Sequence, residues 1–138
     1  MTRVEEHDAP ELIHLADDLG NSVVLRVTGQ ESGGLTGVIE VGSYFVSGGI
    51  KTWLDAEDLT AWEKVLDSLA QGDDGAAWRE GQRATELHLE IDDGGRVHAA
   101  VVDSHSFLVT VELTIEVAAD WLDDHRDRLT ATRALLPR

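Results

Sequence analysis

The sequence predicts an α+β fold: an antiparallel β-sheet meander of about six or seven strands with two α-helices packed on one face, ordered strands, helix, strands, helix. Three observations predict it. Two blocks, within residues 12–54 and 86–115, alternate apolar and polar residues with period two, the pattern of half-buried strands. Between and after them, residues 55–72 and 117–135 repeat apolar residues at helical spacing. Clusters of Gly, Asp, Asn and Ser punctuate the strand blocks, as turns require.

Residues 1–11 are polar and acidic and are expected to form a flexible tail, leaving 12–138 as one domain. Leu12 to Leu15 predicts a short strand, and Asp17 to Asn21 has turn chemistry. Val23, Leu25 and Val27 alternate with Val24, Arg26 and Thr28, so the first hairpin spans Leu12 to Thr28. Gln30 to Gly34 follows as a flexible loop. Val38 to Val46 predicts another strand with Ile39, Val41 and Phe45 on one face, and Ser47-Gly48-Gly49 turns the chain into a strand from Ile50 to Leu54.

Asp55 is placed to cap a helix, because its carboxylate can accept from the unpaired N–H groups of Glu57 or Asp58. Leu54 and Leu59 flank the cap as a hydrophobic staple, and Glu57 and Asp58 complement the positive end of the helix dipole. Leu59, Trp62, Leu66 and Leu69 form one stripe with Val65 beside it, and Gly72 is the expected terminator.

Residues 76–84, with Trp78 and two arginines, predict an irregular or single-turn segment. Leu87, Leu89 and Ile91, then Val97, Ala99 and Val101, make two strands around Asp93-Gly94-Gly95. If both apolar sets face one side, Ile91 pairs with Val97 and Leu89 with Ala99, which favours a three-residue loop with a left-handed glycine. Asp103 to Ser106 is the next turn and Leu108 to Ile115 the last strand. The closing helix, Val117 to Leu135, carries acids early and arginines late, the order its dipole favours.

A chain of 138 residues with 42% hydrophobic content suits one core. The absence of cysteine excludes disulfides, thiolate nucleophiles and sulfur-ligated metals. No apolar run approaches the roughly 18 residues of a membrane helix, and the amino terminus lacks a signal-like apolar region, so a cytoplasmic location is expected. The net charge of −16, from 27 acids and 11 bases, repels phosphate backbones and anionic membranes, so neither nucleic acid nor a membrane is an expected partner. That field would steer a basic protein toward this one. It would equally serve solubility alone, and the excess of arginine over lysine with abundant Ala, Asp and Gly resembles a GC-rich coding bias.

Motifs for chemistry are sparse. His88 and His98 lie on one polar strand face near Glu90, but no HExxH or i, i+4 histidine pair accompanies them, so solvated strand residues are expected rather than a metal site. Asp103, Ser104 and His105 have the residue types of a triad, yet adjacency in sequence fits a turn better. Asp92-Asp93-Gly94-Gly95 lacks calcium-loop spacing, and no glycine-rich phosphate loop occurs. No catalytic residue, metal or cofactor is assigned. Of the four tryptophans, Trp62 and Trp121 are expected in the core, and Trp53 and Trp78 at a contact surface.

The GNSVVLRV strand, the SGGIKTWLDAEDLTAWEKVLDSLAQG passage, the TELHLEIDDGGRVHAAVV hairpin and the AADWLDDHRDRL helix resemble a family of small uncharacterised actinobacterial proteins. More distantly they resemble WapI-type immunity proteins, which neutralise a toxin by binding it. The resemblance covers the chain from about Leu12 and implies a binder without a catalytic motif.

The function expected is therefore a non-enzymatic protein-binding module, immunity-like, with a basic, toxin-like partner. The candidate contact residues are Trp53, Asp55, Glu63, Asp67, Asp73, Asp74 and Trp78, since seven acids between Asp55 and Gly75 oppose Lys64 alone. The alternative is a small enzyme or ligand-binding domain with a site between sheet and loops. A large internal cavity lined by convergent polar groups would favour that alternative. An exposed acidic patch around aromatic anchors would favour the binder. The oligomeric state is left open.

Overall fold

The computed structural model describes residues 2–3, 10–103 and 108–137. Among them the strands are β1 (Thr2–Arg3), β2 (Glu11–Ala16), β3 (Ser22–Glu31), β4 (Gly34–Gly42), β5 (Ser47–Leu54), β6 (Gly75–Trp78), β7 (Glu86–Ile91), β8 (Val97–Asp103) and β9 (Val109–Ile115). The helices are α1 (Ala56–Ala70) and α2 (Trp121–Arg133). The fold is α+β, but the expected single meander is two antiparallel sheets. β2–β3–β4–β5 form one and β6–β7–β8–β9 the other, eight strands where six or seven were expected. Thr2–Arg3, within the expected tail, pairs with Gly29 and Gln30, beyond the stretch of β3 that pairs with β2, so this sheet stays four strands wide. Period-two alternation shows which face of a strand is buried and not which strands share a sheet. Here α1 separates β5 from β6, and β6 pairs with β7 instead.

The buried faces of both sheets join α1 in one core, with Leu25, Val27, Leu35 and Leu54 from the first sheet and Leu89, Val97 and Ile115 from the second. Alternation in β3, β7 and β8 runs as predicted. The β7–β8 register is also the expected one, Ile91 with Val97 and Leu89 with Ala99, closed by Asp93-Gly94-Gly95 with Gly95 at φ 79°. Adjacent Leu12 and Ile13 are both buried because the register shifts between Glu11 and Ile13, so one extra residue turns inward.

α1 forms as its sequence dictates. The Asp58 N–H donates to Asp55 Oδ1 at 2.9 Å and the Asp55 N–H to Asp58 Oδ2 at 3.0 Å, a reciprocal capping box. Leu54 and Leu59 are both fully buried on either side of it. At the other end Gly72 takes φ 99°, and the Gly72 and Asp73 N–H groups return to the Leu69 and Ser68 carbonyls. Leu59, Trp62, Val65, Leu66 and Leu69 are buried as the stripe requires. The two helices do not lie side by side on one sheet face: α1 packs on β6 and on α2, and α2 packs on β2. α2 is shorter than expected, and its Asp120 cap makes no side-chain hydrogen bond.

Three local expectations are corrected. Gln30 to Gly34 is no loose loop: β3 and β4 are joined by Ser32 and Gly33 alone, at φ 54° and 82°, the left-handed pair that matches strand twist. The turn after β4 is Ser43 to Val46 and not Ser47 to Gly49, because Ser43 Oγ accepts from the Phe45 and Val46 N–H groups. That puts Phe45 in the turn rather than on a strand face. Ala76 to Ala84 is part strand, since Gly75–Trp78 pairs with β7. Ser104 and His105 lie outside the described residues.

Candidate functional site

β5 is an edge strand, and its sequence sets what that edge offers. Among the described residues it pairs only with β4, in an unbroken register from Leu35 with Leu54 to Gly42 with Ser47. Along it runs an open cleft of about 1200 Å³, bounded opposite by the segment between β6 and β7 and closed at one end by the start of α1. Arg79 sits at its floor, 3% exposed and at φ 62°. Its Nε donates to the Thr85 carbonyl at 3.1 Å, Nη1 to the Trp53 carbonyl at 3.3 Å and Nη2 to Thr52 Oγ1 at 3.0 Å. The guanidinium carbon lies 4.3 Å from the centre of the Trp78 ring. Burial lowers the Arg79 pKa, opposed by the nearby Asp58 and Asp55 charges. Burial raises that of Asp58, opposed by the Asp55 N–H and by Arg79.

Trp53 forms one wall of this cleft. It is 41% exposed, and its Nε1 donates to the Glu31 carbonyl at 2.8 Å, which fixes the ring. The ring packs on Gly34, where a Cβ would come within 2.6 Å of it. Glu31 and Glu57 line the same end, and neither carboxylate has a partner among the described residues.

A second, apolar groove of about 300 Å³ adjoins the cleft, sharing Gly49, Ile50, Thr85 and Asp103 with it. Its walls are the inner faces of the two sheets, Ile39, Val41 and Ile50 on one side and Val101, Val109 and Val111 on the other. Among the described residues the sheets are thus unsealed at this end. Val46 lines the groove, and beside it in the chain Tyr44 and Phe45 are 100% and 91% exposed at the tip of the β4–β5 hairpin.

The structure divides the residues singled out in the sequence. Trp53 and Asp55 come together at the cleft. Trp78, expected at a surface, is fully buried, with its ring centre 5.3 Å from that of Trp62 and its Nε1 donating to the Asp58 carbonyl at 2.9 Å. Asp73 accepts from Ser68 Oγ, and Asp74 gives its carbonyl to the Ile91 N–H. Glu63 and Asp67 hold the two helices together: Glu63 meets Arg133 at 3.0 Å and Asp67 meets Arg126 at 2.9 Å. The hydrogen bond and charge of Arg133 lower the Glu63 pKa. Glu63→Lys with Asp67→Lys is therefore expected to lower the melting temperature by a few degrees at low salt and less at high salt, read by circular dichroism. An unchanged melting temperature would show that these pairs do not join the helices.

His88 and His98 are engaged with carboxylates. His88 Nε2 meets Glu86 Oε1 at 2.8 Å, and His98 bridges Asp92 Oδ2 and Thr114 Oγ1, each at 2.9 Å, on strand faces that line neither cleft nor groove. Hydrogen bonds to Asp92, first from the Arg96 N–H and then from His98, bring its pKa down to about 2. Among the described residues no group of three or more His, Asp or Glu is placed to hold a metal ion, and no helix is long and apolar enough to cross a membrane. Arg79, Tyr44 and Phe45 were not singled out as site residues. The sequence pattern places Phe45 on a strand face with Ile39 and Val41, and nothing local in the sequence marks Arg79 as buried.

One family model matches residues 10–137, that of a family of unknown function (DUF5959). No curated protein and no solved structure matches the chain.

Proposed function

The chain belongs to the DUF5959 family of unknown function, and on that footing we propose that it is a non-enzymatic protein-binding module whose partner is a basic protein. The observation that carries this is the exposed aromatic tip, Tyr44 and Phe45, standing beside an apolar groove that neither sheet closes. Large apolar side chains held in water have no role in the fold, and aromatic residues anchor protein interfaces. The net charge of −16 selects for a partner of opposite sign. Masking a basic toxin, the immunity-like role, is the narrower form of the proposal.

The second reading is a small-molecule site in the larger cleft, favoured by the polar groups that converge on Arg79. The cleft is open rather than internal, however, and those groups largely bond one another: Arg79 has its three acceptors, and Asp55 and Asp58 cap each other. Capture from a native-host lysate at low and high salt separates the readings. The expected result is one basic protein, released by salt and lost with Tyr44→Ser/Phe45→Ser, whose melting temperature matches the wild type. Recovery of no protein, with a stoichiometric small molecule in the purified sample, overturns the proposal.

A further inference from the structure

We infer that the basic partner engages this protein through an extended segment that adds as a further strand to the free edge of β5, with a lysine or arginine side chain seated against Trp53, Glu31 and Glu57. The inference rests on the protein-binding reading above and specifies its geometry.

The edge is open in a defined way. In an antiparallel ladder the N–H and C=O of one residue point together, and successive residues alternate direction. The Trp53 carbonyl accepts from Arg79, so Trp53 faces away from β4. The register from β4 is unbroken, so Lys51 and Gly49 face the same way, with their N–H and C=O groups directed along the cleft. Arg79 caps this row at Trp53 and stops it short of α1, leaving Ser47, Gly49 and Lys51 as the open ladder positions. A protein manages such an edge by covering it or by making it unfit for pairing. Nothing among the described residues pairs with it, and the cleft beside it has room for extended chain.

The surroundings specify the chemistry of the occupant. Side chains of an added strand alternate between the two faces of the sheet. One set would enter the apolar groove between Ile50, Val41 and Val111, and the other would lie along Val38 and Trp53. At the α1 end the exposed Trp53 ring stands with Glu31 and Glu57, carboxylates without partners among the described residues. An aromatic face that shares a cleft with carboxylates attracts a cation by charge and through its ring quadrupole. Behind it Asp55 and Asp58 face Arg79, whose charge offsets part of theirs, so Glu31 and Glu57 supply the attraction, while Lys51 bars an added strand from placing a second cation beside it. The fitting segment is thus apolar in alternate positions and basic at one end.

A phage-displayed library of short random peptides, selected on the full chain, tests this. The enriched peptides are expected to carry that pattern. Lys51→Pro removes an N–H that β4 does not use, so the fold tolerates it, and it is expected to weaken these peptides about tenfold or more. A second measurement is independent of that variant: N-methylation along the best peptide should weaken binding about tenfold at every other position and leave the positions between unchanged. Glu31→Gln/Glu57→Gln should remove the salt dependence contributed by the basic end. Peptides indifferent to Lys51→Pro and to methylation, or affected without alternation, overturn strand addition, as does a selection that enriches nothing. The protein-binding reading then stands or falls separately on the lysate capture and its Tyr44→Ser/Phe45→Ser control.

Discussion

Replacing Arg79 with leucine is expected to cost about 3 kcal/mol of stability, roughly 10 °C in melting temperature for a chain of this size. Leucine keeps apolar contact with the Trp78 ring but has no donor. The Thr85 and Trp53 carbonyls and Thr52 Oγ1 then lose the groups that satisfy them, in a place where Arg79 itself is 3% exposed. A buried acceptor left unpaired costs its full desolvation, more than the hydrogen bond contributed net. Loss of the guanidinium also removes the positive charge opposite Asp58, so the Asp58 carboxyl should rise further. Arg79→Lys is expected to recover only part of the loss, because a single ammonium cannot span acceptors on three residues. Arg79→Gly separates the bonds from the backbone. Glycine relieves the left-handed φ of 62°, worth about 1 kcal/mol, and restores none of the three contacts. Urea unfolding of the three variants measures the order leucine and glycine below lysine, and lysine below wild type. If leucine matched wild type, the fork of hydrogen bonds would be incidental to the fold.

What the sequence disclosed follows the range of the interaction concerned. The α1 cap, its staple, its stripe and its Gly72 terminator depend on residues within a few positions of each other, and all appear in the structure. The β7–β8 register was legible because two alternating faces and one glycine leave a single consistent pairing. The division into two sheets was not legible, since the edges of β5 and β6 carry no residue that says which strand lies beside them. Arg79 illustrates the same limit at the cleft. Its acceptors lie at Thr52, Trp53 and Thr85, on both sides of α1, and its burial exists only once β6 has docked. Glu63 and Asp67 were visible as acids on an outer face, but their partners Arg126 and Arg133 lie far along the chain. Long-range pairing engages these acids in a helix–helix contact that local sequence does not reveal.

Acidification from pH 7.5 to pH 5.5 is expected to destabilise the wild type more than a His125→Gln variant, by up to about 1.4 kcal/mol per pH unit for the one proton involved. The His125 side chain is 1% exposed, with its ring edge-on to those of Trp62 and Trp121. Nδ1 lies 2.7 Å from the Trp121 carbonyl and so carries the proton it donates there. That leaves Nε2 as the lone-pair acceptor for the His14 N–H, at 3.1 Å, which satisfies an amide on the outer edge of β2. Protonation of Nε2 would set one N–H against another and break the bond that docks α2 on this edge. Burial lowers the His125 pKa, outweighing the Trp121 carbonyl and Asp124, which favour the charged ring, while Arg128 and His14 oppose it. The folded pKa lies below the unfolded one near 6.5, so the stability is fully present above that value. As pH falls below it the unfolded chain takes up a proton that the folded chain does not, and stability declines until the depressed folded value is reached. Glutamine offers an uncharged acceptor to the His14 N–H, so the variant should be less stable at pH 7.5 yet lack this part of the slope. Parallel stability profiles for the two proteins would mean that His125 carries a proton in the fold or contributes nothing to the docking of α2.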